Sequence, residues 1–187
     1  MKRFFAIYIL LLFACANIAH AQQRHSDGLD DVLEHVPMAS LLVLKASGVN
    51  SQHDWPQFLL TAGASYLVTA GITKGLKWTV DEWRPDNSDT NSFPSGHTAM
   101  AFSGATALRH EFGEISPWVT VAGYSVATFV AVDRVAKKRH HWYDVTAGAA
   151  IGIAATEASY WLSEKLFDKK EVHVAFTGNT LDMIIPL

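Results

Sequence analysis

The segment VTAGAAIGIAATEASYWLSEKLF, residues 145–167, sets the fold expected for the rest of the chain. It is long enough for about six turns of α-helix. Its first turns carry small residues, namely Ala147, Gly148, Ala149, Ala150 and Gly152. Because small side chains let two helix backbones approach closely, the segment predicts a long helix packed tightly inside a bundle.

Further helices are predicted on the N-terminal side of this segment. Apolar residues at helical spacing, uncharged runs and a proline suited to a first turn mark them. These helices cover residues 29–48, 57–77, 98–112 and 117–133, and Pro37 interrupts the first of them. Residues 172–185 alternate between apolar and polar around Gly178-Asn179, which predicts a small C-terminal β-hairpin. We therefore expect an all-α fold, a compact bundle of about five to six helices, with that hairpin at its end.

The first 21 residues predict a signal peptide. Lys2 and Arg3 precede an apolar run, and Ala19-His20-Ala21 has the small-x-small pattern of a signal-peptidase site. Cleavage after Ala21 would leave residues 22–187 as a single domain. The competing interpretation is lipoprotein processing at Cys15, but Phe13 stands where that signal prefers a small residue.

Composition restricts the function classes. The chain has 187 residues, which fits one domain, and 49% of them are hydrophobic. Without Lys2 and Arg3 the mature chain has 13 basic and 18 acidic residues, a net charge of −5, so no basic excess exists to bind nucleic acid. The only cysteine is Cys15, which excludes disulfides, thiol catalysis and cysteine metal sites from residues 22–187.

Lys77 and Arg84, followed by Pro85, form a first candidate cluster. Seven residues make two helical turns, so both cations can share one helix face and point at one anion. The plainer interpretation is a solvated helix end with favourable charge near its C-terminus.

The second cluster is Pro94-Ser95-Gly96-His97. Pro94 and Ser95 predict a helix start, and Gly96 would expose backbone N–H groups that bind an anion there. His97 would lie at the mouth of that anion site, where it can give or take a proton. The alternative is an ordinary cap in which Ser95 satisfies the first turn.

Arg134, His140 and Asp144 form the third cluster. With a spacing of four, the Asp144 carboxylate can hold one imidazole nitrogen of His140 and leave the other free to attack. Arg134 adds a planar donor fork suited to phosphate. Taken alone, the pair could be an i, i+4 surface contact.

Together the clusters resemble the three-part signature of the type 2 phosphatidic acid phosphatase and vanadium haloperoxidase superfamily. The order and the spacing match over about residues 65–165, in Lys77-x6-Arg84-Pro85, Pro94-Ser95-Gly96-His97 and Arg134-x5-His140-x3-Asp144. The resemblance implies an all-α bundle and a phosphohistidine formed on His140, with His97 protonating the leaving oxygen and Asp144 orienting His140. It also implies that the phosphate oxygens are held by Lys77, Arg84, Ser95, Gly96 and Arg134.

The chain departs from this signature at Asp133, where the family usually has serine. A carboxylate facing the phosphate would repel it, so we expect Asp133 to face away or to pair with a neighbouring cation. The spacer residues 137–139, Lys-Lys-Arg, are open to two interpretations, contact with a second anionic group or a solvated connector.

Other histidines and tryptophans are assigned no catalytic part. The histidines expected to be structural or at the surface are His35, His53, His110, His141 and His173. Trp83 and Trp142 flank the motifs and are candidates to line the approach of an acyl or prenyl chain.

These observations predict a phosphatase that needs no metal or cofactor and is inhibited by vanadate. The expected substrate is a phosphomonoester or diphosphate of a lipid or prenyl alcohol. The protein would be exported, periplasmic or membrane-associated, with its site outside the inner membrane. A broad-specificity soluble periplasmic acid phosphatase is the closest alternative. A vanadate-dependent haloperoxidase and a non-enzymatic anion-binding protein are weaker ones.

Overall fold

The computed structural model describes residues 28–167, 173–176 and 181–184, so the predicted signal peptide lies outside the described residues. Within them the chain forms six helices and two strands. These are α1 (Gly28–Leu33), α2 (Val36–Ala46), α3 (Trp55–Thr79), α4 (Gly96–Phe112), α5 (Pro117–Ala136), α6 (Trp142–Phe167), β1 (His173–Phe176) and β2 (Leu181–Ile184). The strands pair antiparallel, and the predicted turn between them falls outside the described residues. The all-α prediction is confirmed.

The helix boundaries follow from local sequence chemistry. The Asp54 carboxylate accepts a hydrogen bond from the Gln57 N–H and caps α3. Pro37 and Pro117 lie in the first turns of α2 and α5, where a missing N–H costs nothing. The predicted interruption at Pro37 is confirmed, because the segment 29–48 forms two short helices and Pro37 lies in the first turn of the second.

Helix α4 lies at the centre of the bundle and packs against α2, α3, α5 and α6. Glycines of α6 permit the closest of these contacts. A Cβ built at Gly148 would overlap the Ser95 carbonyl oxygen, and one at Gly152 would overlap that of Ala99. The predicted tight packing of this segment is therefore a direct backbone contact with the first turns of α4.

Besides an apolar core that includes Phe58, Leu108 and Phe112, the bundle buries many small and hydroxyl-bearing residues and exposes many large apolar ones. On α3 the buried positions include Thr61, Ser65, Thr69 and Thr73, whereas Leu59, Leu60, Leu67, Val68 and Ile72 are exposed. Buried hydroxyls bond between helices, as between Thr61 and Ser163 at 2.6 Å. Of the helices in the described part of the chain, α5 is long and apolar enough to cross a membrane.

Candidate active site

His140 lies in the connection between α5 and α6, and its side chain is 2% exposed. Its Nδ1 is 3.5 Å from Oδ2 of Asp144, which is fully buried in the first turn of α6. That distance is longer than a hydrogen bond, and such contacts often tighten when a ligand binds. With Nδ1 directed at the carboxylate, Nε2 is the nitrogen available for attack.

Other groups hold the Asp144 carboxylate in place. Its Oδ2 accepts hydrogen bonds from the Ser92 hydroxyl at 2.5 Å and from the His141 backbone N–H at 2.8 Å. The Asp144 carbonyl oxygen accepts from the Ser95 N–H at 3.1 Å. Asp144 thereby holds the connection that carries His140, the loop before α4 and the start of α6 in place relative to one another.

Three cations surround His140. Burial, followed by the positive charges of Arg84, Lys77 and Arg134, lowers the pKa of His140 to about 3. The imidazole is therefore neutral in the unliganded protein at any ordinary pH, and a neutral imidazole is the form that can act as a nucleophile.

Two of the three cations are held by backbone or side-chain oxygens near the site. Lys77 Nζ donates to the Asn91 carbonyl at 2.6 Å. The Arg84 guanidinium bonds Asp89 Oδ1 at 2.8 Å and the Arg139 carbonyl at 3.3 Å. Arg134 is buried in the last turn of α5, and its carbonyl accepts from the His140 N–H at 3.3 Å.

The expected helical arrangement of Lys77 and Arg84 is wrong. Helix α3 ends at Thr79, so Arg84 belongs to the connection that follows. A proline after Arg84 disfavours helical backbone at that residue. The connection instead folds back on itself, with the Glu82 N–H bonded to Thr90 O and the Arg84 N–H to Asp89 O, each at 3.0 Å. This turn brings Arg84 to the site that Lys77 reaches from α3.

Ser95 and Gly96 form the start of α4. The Ser95 hydroxyl caps the helix, accepting from the Thr98 N–H at 3.4 Å and lying 2.9 Å from the Thr98 hydroxyl. A Cβ at Gly96 would lie 4.0 Å from Cε of Lys77, so the first two motifs touch here. The ordinary capping interpretation of Ser95 is thus correct. A phosphate at this helix start would still meet the dipole and N–H groups of its first turn.

His97 lies in the first turn of α4 and contacts α1. Its Nε2 is 2.7 Å from Asp31 Oδ1, and its Nδ1 is 3.8 Å from Glu34 Oε2. Nothing in the motifs pointed to these two carboxylates, because they precede His97 by more than sixty residues.

The arrangement combines a buried neutral imidazole, a carboxylate behind it, three nearby cations and a second histidine paired with acids. A family model described as the PAP2 superfamily matches residues 58–168. This range contains all of these groups except Asp31 and Glu34 of α1. The chain belongs to the PAP2 superfamily.

Among PAP2 relatives, the chain is 37% identical over 140 residues to lipid A 1-phosphatase of Porphyromonas gingivalis, covering 74% of this chain and 32% of that protein. It is 35% identical over 148 residues to probable lipid phosphate phosphatase 4 of Arabidopsis thaliana, covering 58% of this chain and 48% of that protein. The chain thus spans less than half the length of these two relatives. The crystal structure of Aquifex aeolicus LpxE matches with a TM-score of 0.57 and 21% identity, over 84% of this chain and 94% of that one, which shows a shared fold.

The departure from the usual PAP2 signature at Asp133 is neutralised locally. Asp133 Oδ2 is 2.8 Å from Lys137 Nζ, one helical turn away, so the carboxylate pairs with a neighbouring cation as expected. Arg139 is also paired, at 3.2 Å from Asp86 Oδ2 in the connection after α3. Lys138 is exposed and has a positive φ of 57°. Two of the three spacer cations therefore have structural partners.

One side-chain group in the described part of the chain has the spacing of a metal site. Glu82, His141 and Asp144 offer ligand atoms within 4.8 Å of one another. Asp144 Oδ2 already accepts two hydrogen bonds. The neighbouring Arg and Lys charges also disfavour a cation there. His141, expected to be structural, lies 3.5 Å from both Glu82 and Asp144 and stacks on Tyr143.

The remaining histidines in the described side chains make structural contacts. His53 bonds the buried Glu111 at 2.9 Å, and His110 stacks on Tyr160 at 4.1 Å. His35 contacts Tyr66. His173 lies in β1, and its side chain is outside the described residues.

Proposed function

We propose that this protein is a metal-independent phosphatase that forms a phosphohistidine on His140. The observation that carries the proposal is the neutral, buried imidazole beside three cations, with Asp144 against its Nδ1. Phosphoryl transfer depends mainly on positioning and on stabilising charge at the phosphate oxygens. Lys77, Arg84 and Arg134 supply that charge, and the N–H groups at Gly96 add to it.

The reaction has two steps. In the first, His140 Nε2 bonds to phosphorus, the bond to the leaving oxygen breaks, and His97 gives that oxygen a proton. In the second, His97 takes a proton from water, the water oxygen bonds to phosphorus, and the bond between phosphorus and His140 Nε2 breaks. Inorganic phosphate leaves and His140 is again neutral. Asp144 stabilises the positive charge that His140 carries in the intermediate.

We propose a phosphorylated lipid as the substrate class, a phosphomonoester or diphosphate. Relatives of this chain bear the names lipid A 1-phosphatase and lipid phosphate phosphatase, and this supports that class. Trp83 and Trp142 are 59% and 70% exposed at the site end of the bundle, where they can contact an acyl chain.

We further propose that the exported protein sits in a membrane with its site at one surface. Exposed tryptophans lie at both ends of the bundle, at Trp55, Trp118 and Trp161 on one end and at Trp78, Trp83 and Trp142 on the other. Trp55 and Trp78 are about 35 Å apart along α3, and Trp142 and Trp161 are about 28 Å apart along α6, at 1.5 Å per residue. A bilayer's apolar layer is about 30 Å thick and favours tryptophan at its borders.

Phosphate release by the purified protein and by His140→Ala tests the catalytic proposal. The substrates are a lipid A-type sugar phosphate, phosphatidate, a prenyl diphosphate and 4-nitrophenyl phosphate, each with EDTA or vanadate. We expect release that resists EDTA, is blocked by vanadate and falls at least about a thousandfold in the variant. Rapid quench at alkaline pH should trap an acid-labile phosphoenzyme only when His140 is present.

The alternatives give other results. Activity that survives His140→Ala, or that EDTA abolishes, would exclude the phosphohistidine mechanism. Equal turnover of all four substrates without detergent would favour the soluble acid phosphatase. Bromide oxidation by peroxide after loading with vanadate would favour the haloperoxidase.

A further inference from the structure

Helix α1 contributes two carboxylates to the site although it lies outside the segment that matches the PAP2 family model, residues 58–168. Asp31 Oδ1 is 2.7 Å from His97 Nε2, a full hydrogen-bond contact. Glu34 Oε2 is 3.8 Å from His97 Nδ1, within ion-pair range only. Both nitrogens of His97 thus face negative charge from one helix that packs on α4 and α5.

The two histidines of the site have opposite electrostatic surroundings. His140 is surrounded by the cations Arg84, Lys77 and Arg134, which favour its neutral form. His97 faces carboxylates, which favour the protonated imidazolium. Two titratable groups with opposite environments can act as base or nucleophile on one side and acid on the other.

We infer that Asp31 is a positioning residue that holds His97 in the orientation and protonation state required of a general acid. The inference rests on the proposed phosphatase function. Asp31 accepts the hydrogen bond from His97 Nε2, which leaves the Nδ1 proton for the leaving oxygen, so Asp31 acts through His97 and needs no contact with the substrate. Glu34 adds to the negative field from a greater distance.

The neighbouring charges are compatible with this assignment. Glu34 also contacts His35 Nε2 at 3.2 Å, and His35 contacts Tyr66 of α3. From α3, Lys77 approaches the adjacent Gly96 with its aliphatic stem. The Lys77 ammonium is bonded to the Asn91 carbonyl at 2.6 Å. Of the two carboxylates of α1, Asp31 is the nearer to His97, at 2.7 Å against 3.8 Å for Glu34.

Leaving-group dependence separates this role from a structural one. A general acid matters for an alkyl phosphate, whose alkoxide leaves poorly, and little for 4-nitrophenyl phosphate, whose phenolate leaves without help. For Asp31→Asn we expect kcat/KM on decyl phosphate to fall about 10- to 100-fold and kcat/KM on 4-nitrophenyl phosphate to fall less than about threefold. The ratio kcat/KM reports the step that breaks the bond to the leaving group, and not the later hydrolysis of the phosphohistidine, which both substrates share.

The pH profile provides a second readout. The imidazolium of His97 is less favoured without the Asp31 charge, so the alkaline limb of kcat on decyl phosphate should move down by about one pH unit. Asp31→Glu should recover most of the activity. In a His97→Asn background, Asp31→Asn should cause no further loss. Asp81→Asn, an exposed aspartate after α3, is the matched charge control and should leave both profiles unchanged.

Defined outcomes overturn the inference. An equal loss of kcat/KM on both substrates would mean that Asp31 only supports the fold, and unchanged kinetics would mean that its contact is incidental. Increased activity in Asp31→Asn would mean that α1 restrains His97 instead of assisting it. If the unmodified protein released no phosphate, or released it without His140, the proposed function itself would fail. If phosphate release required His140 but Asp31→Asn left the kinetics unchanged, only the inference about Asp31 would be overturned.

Discussion

At the scale of single residues, charge placement decides what each histidine can do. An isolated imidazole has a pKa near 6.5. Burial and three cations lower the pKa of His140 to about 3, while Asp144 acts in the opposite direction. The imidazole of His140 is therefore deprotonated in the unliganded protein, and an incoming phosphate would meet the positive charge of the three cations beside it.

Removing one cation should raise the pKa of His140. In Arg84→Gln, the largest of the three coulombic contributions is lost, so protonation of the imidazole becomes easier and its pKa should move from about 3 toward 6.5. The measurement is a histidine-selective NMR titration without phosphate, with the His140 signal assigned by its absence in His140→Ala.

Lys138→Asn serves as the matched control for this titration. Lys138 is an exposed cation of the same connection, and asparagine tolerates its positive φ. Its removal should leave the His140 pKa unchanged. A pKa near 6.5 in the unmodified protein, or the same pKa after Arg84→Gln, would refute the cationic account of His140.

A site residue could be predicted from the sequence when spacing over a few residues of the chain sets its position. His140 and Asp144 lie four residues apart, and Ser95 caps the helix that it begins, so short-range spacing was sufficient for both. Arg84 was expected on a helix face, but its position is set by bonds across an irregular connection. Asp31 reaches His97 through the packing of α1, and no periodic pattern encodes that contact.

At the scale of the helices, the contact between α4 and α6 positions the site. Gly148 and Gly152 bring the α6 backbone against Ser95 and Ala99, and the first turn of α6 carries Asp144. The small residues in this segment were enough to predict close packing. They could not identify the partner helix, because every predicted helix offered alanine or glycine.

Gly152→Ala should separate α6 from α4. The added methyl overlaps a backbone carbonyl, which cannot rotate away as a side chain can, so we expect a loss of about 1–3 kcal/mol in stability. The melting temperature should fall by several degrees, and kcat should fall with it because Asp144 shifts from His140.

Gly63→Ala is the control for helix propensity. Gly63 is exposed within α3, and a Cβ there meets no atom within 4 Å. Alanine should therefore stabilise the protein by about 0.5–1 kcal/mol. The two variants are compared by thermal unfolding under identical conditions. If Gly152→Ala were as stable as Gly63→Ala, close backbone contact would not govern the assembly of the site.

At the scale of the whole molecule, the bundle has an apolar core but also exposes more large apolar side chains, and buries more hydroxyls, than a water-soluble bundle does. Large apolar side chains cover α3, α5 and α6 on the outside, while buried positions carry hydroxyls such as Thr69, Thr156 and Ser163. In water, so large an exposed apolar surface would favour aggregation. In lipid, interhelical packing relies on small residues and hydroxyl hydrogen bonds, which this bundle has.

Polar substitutions on the outer face of α5 should therefore weaken membrane attachment without unfolding the bundle. Val121, Phe129 and Val132 are all more than half exposed, so changing the three to glutamine removes little internal packing. We expect the unmodified protein to stay with the membrane after carbonate extraction and the triple variant to be partly released. Its activity on 4-nitrophenyl phosphate should persist, because the site lies at the end of the bundle.

The control is Ser125→Gln with Thr128→Gln, at exposed polar positions of the same helix, and it should not cause release. If the unmodified protein were monodisperse in buffer without detergent, the exposed apolar surface would have to be covered by another copy of the chain, and the soluble phosphatase would become the better description.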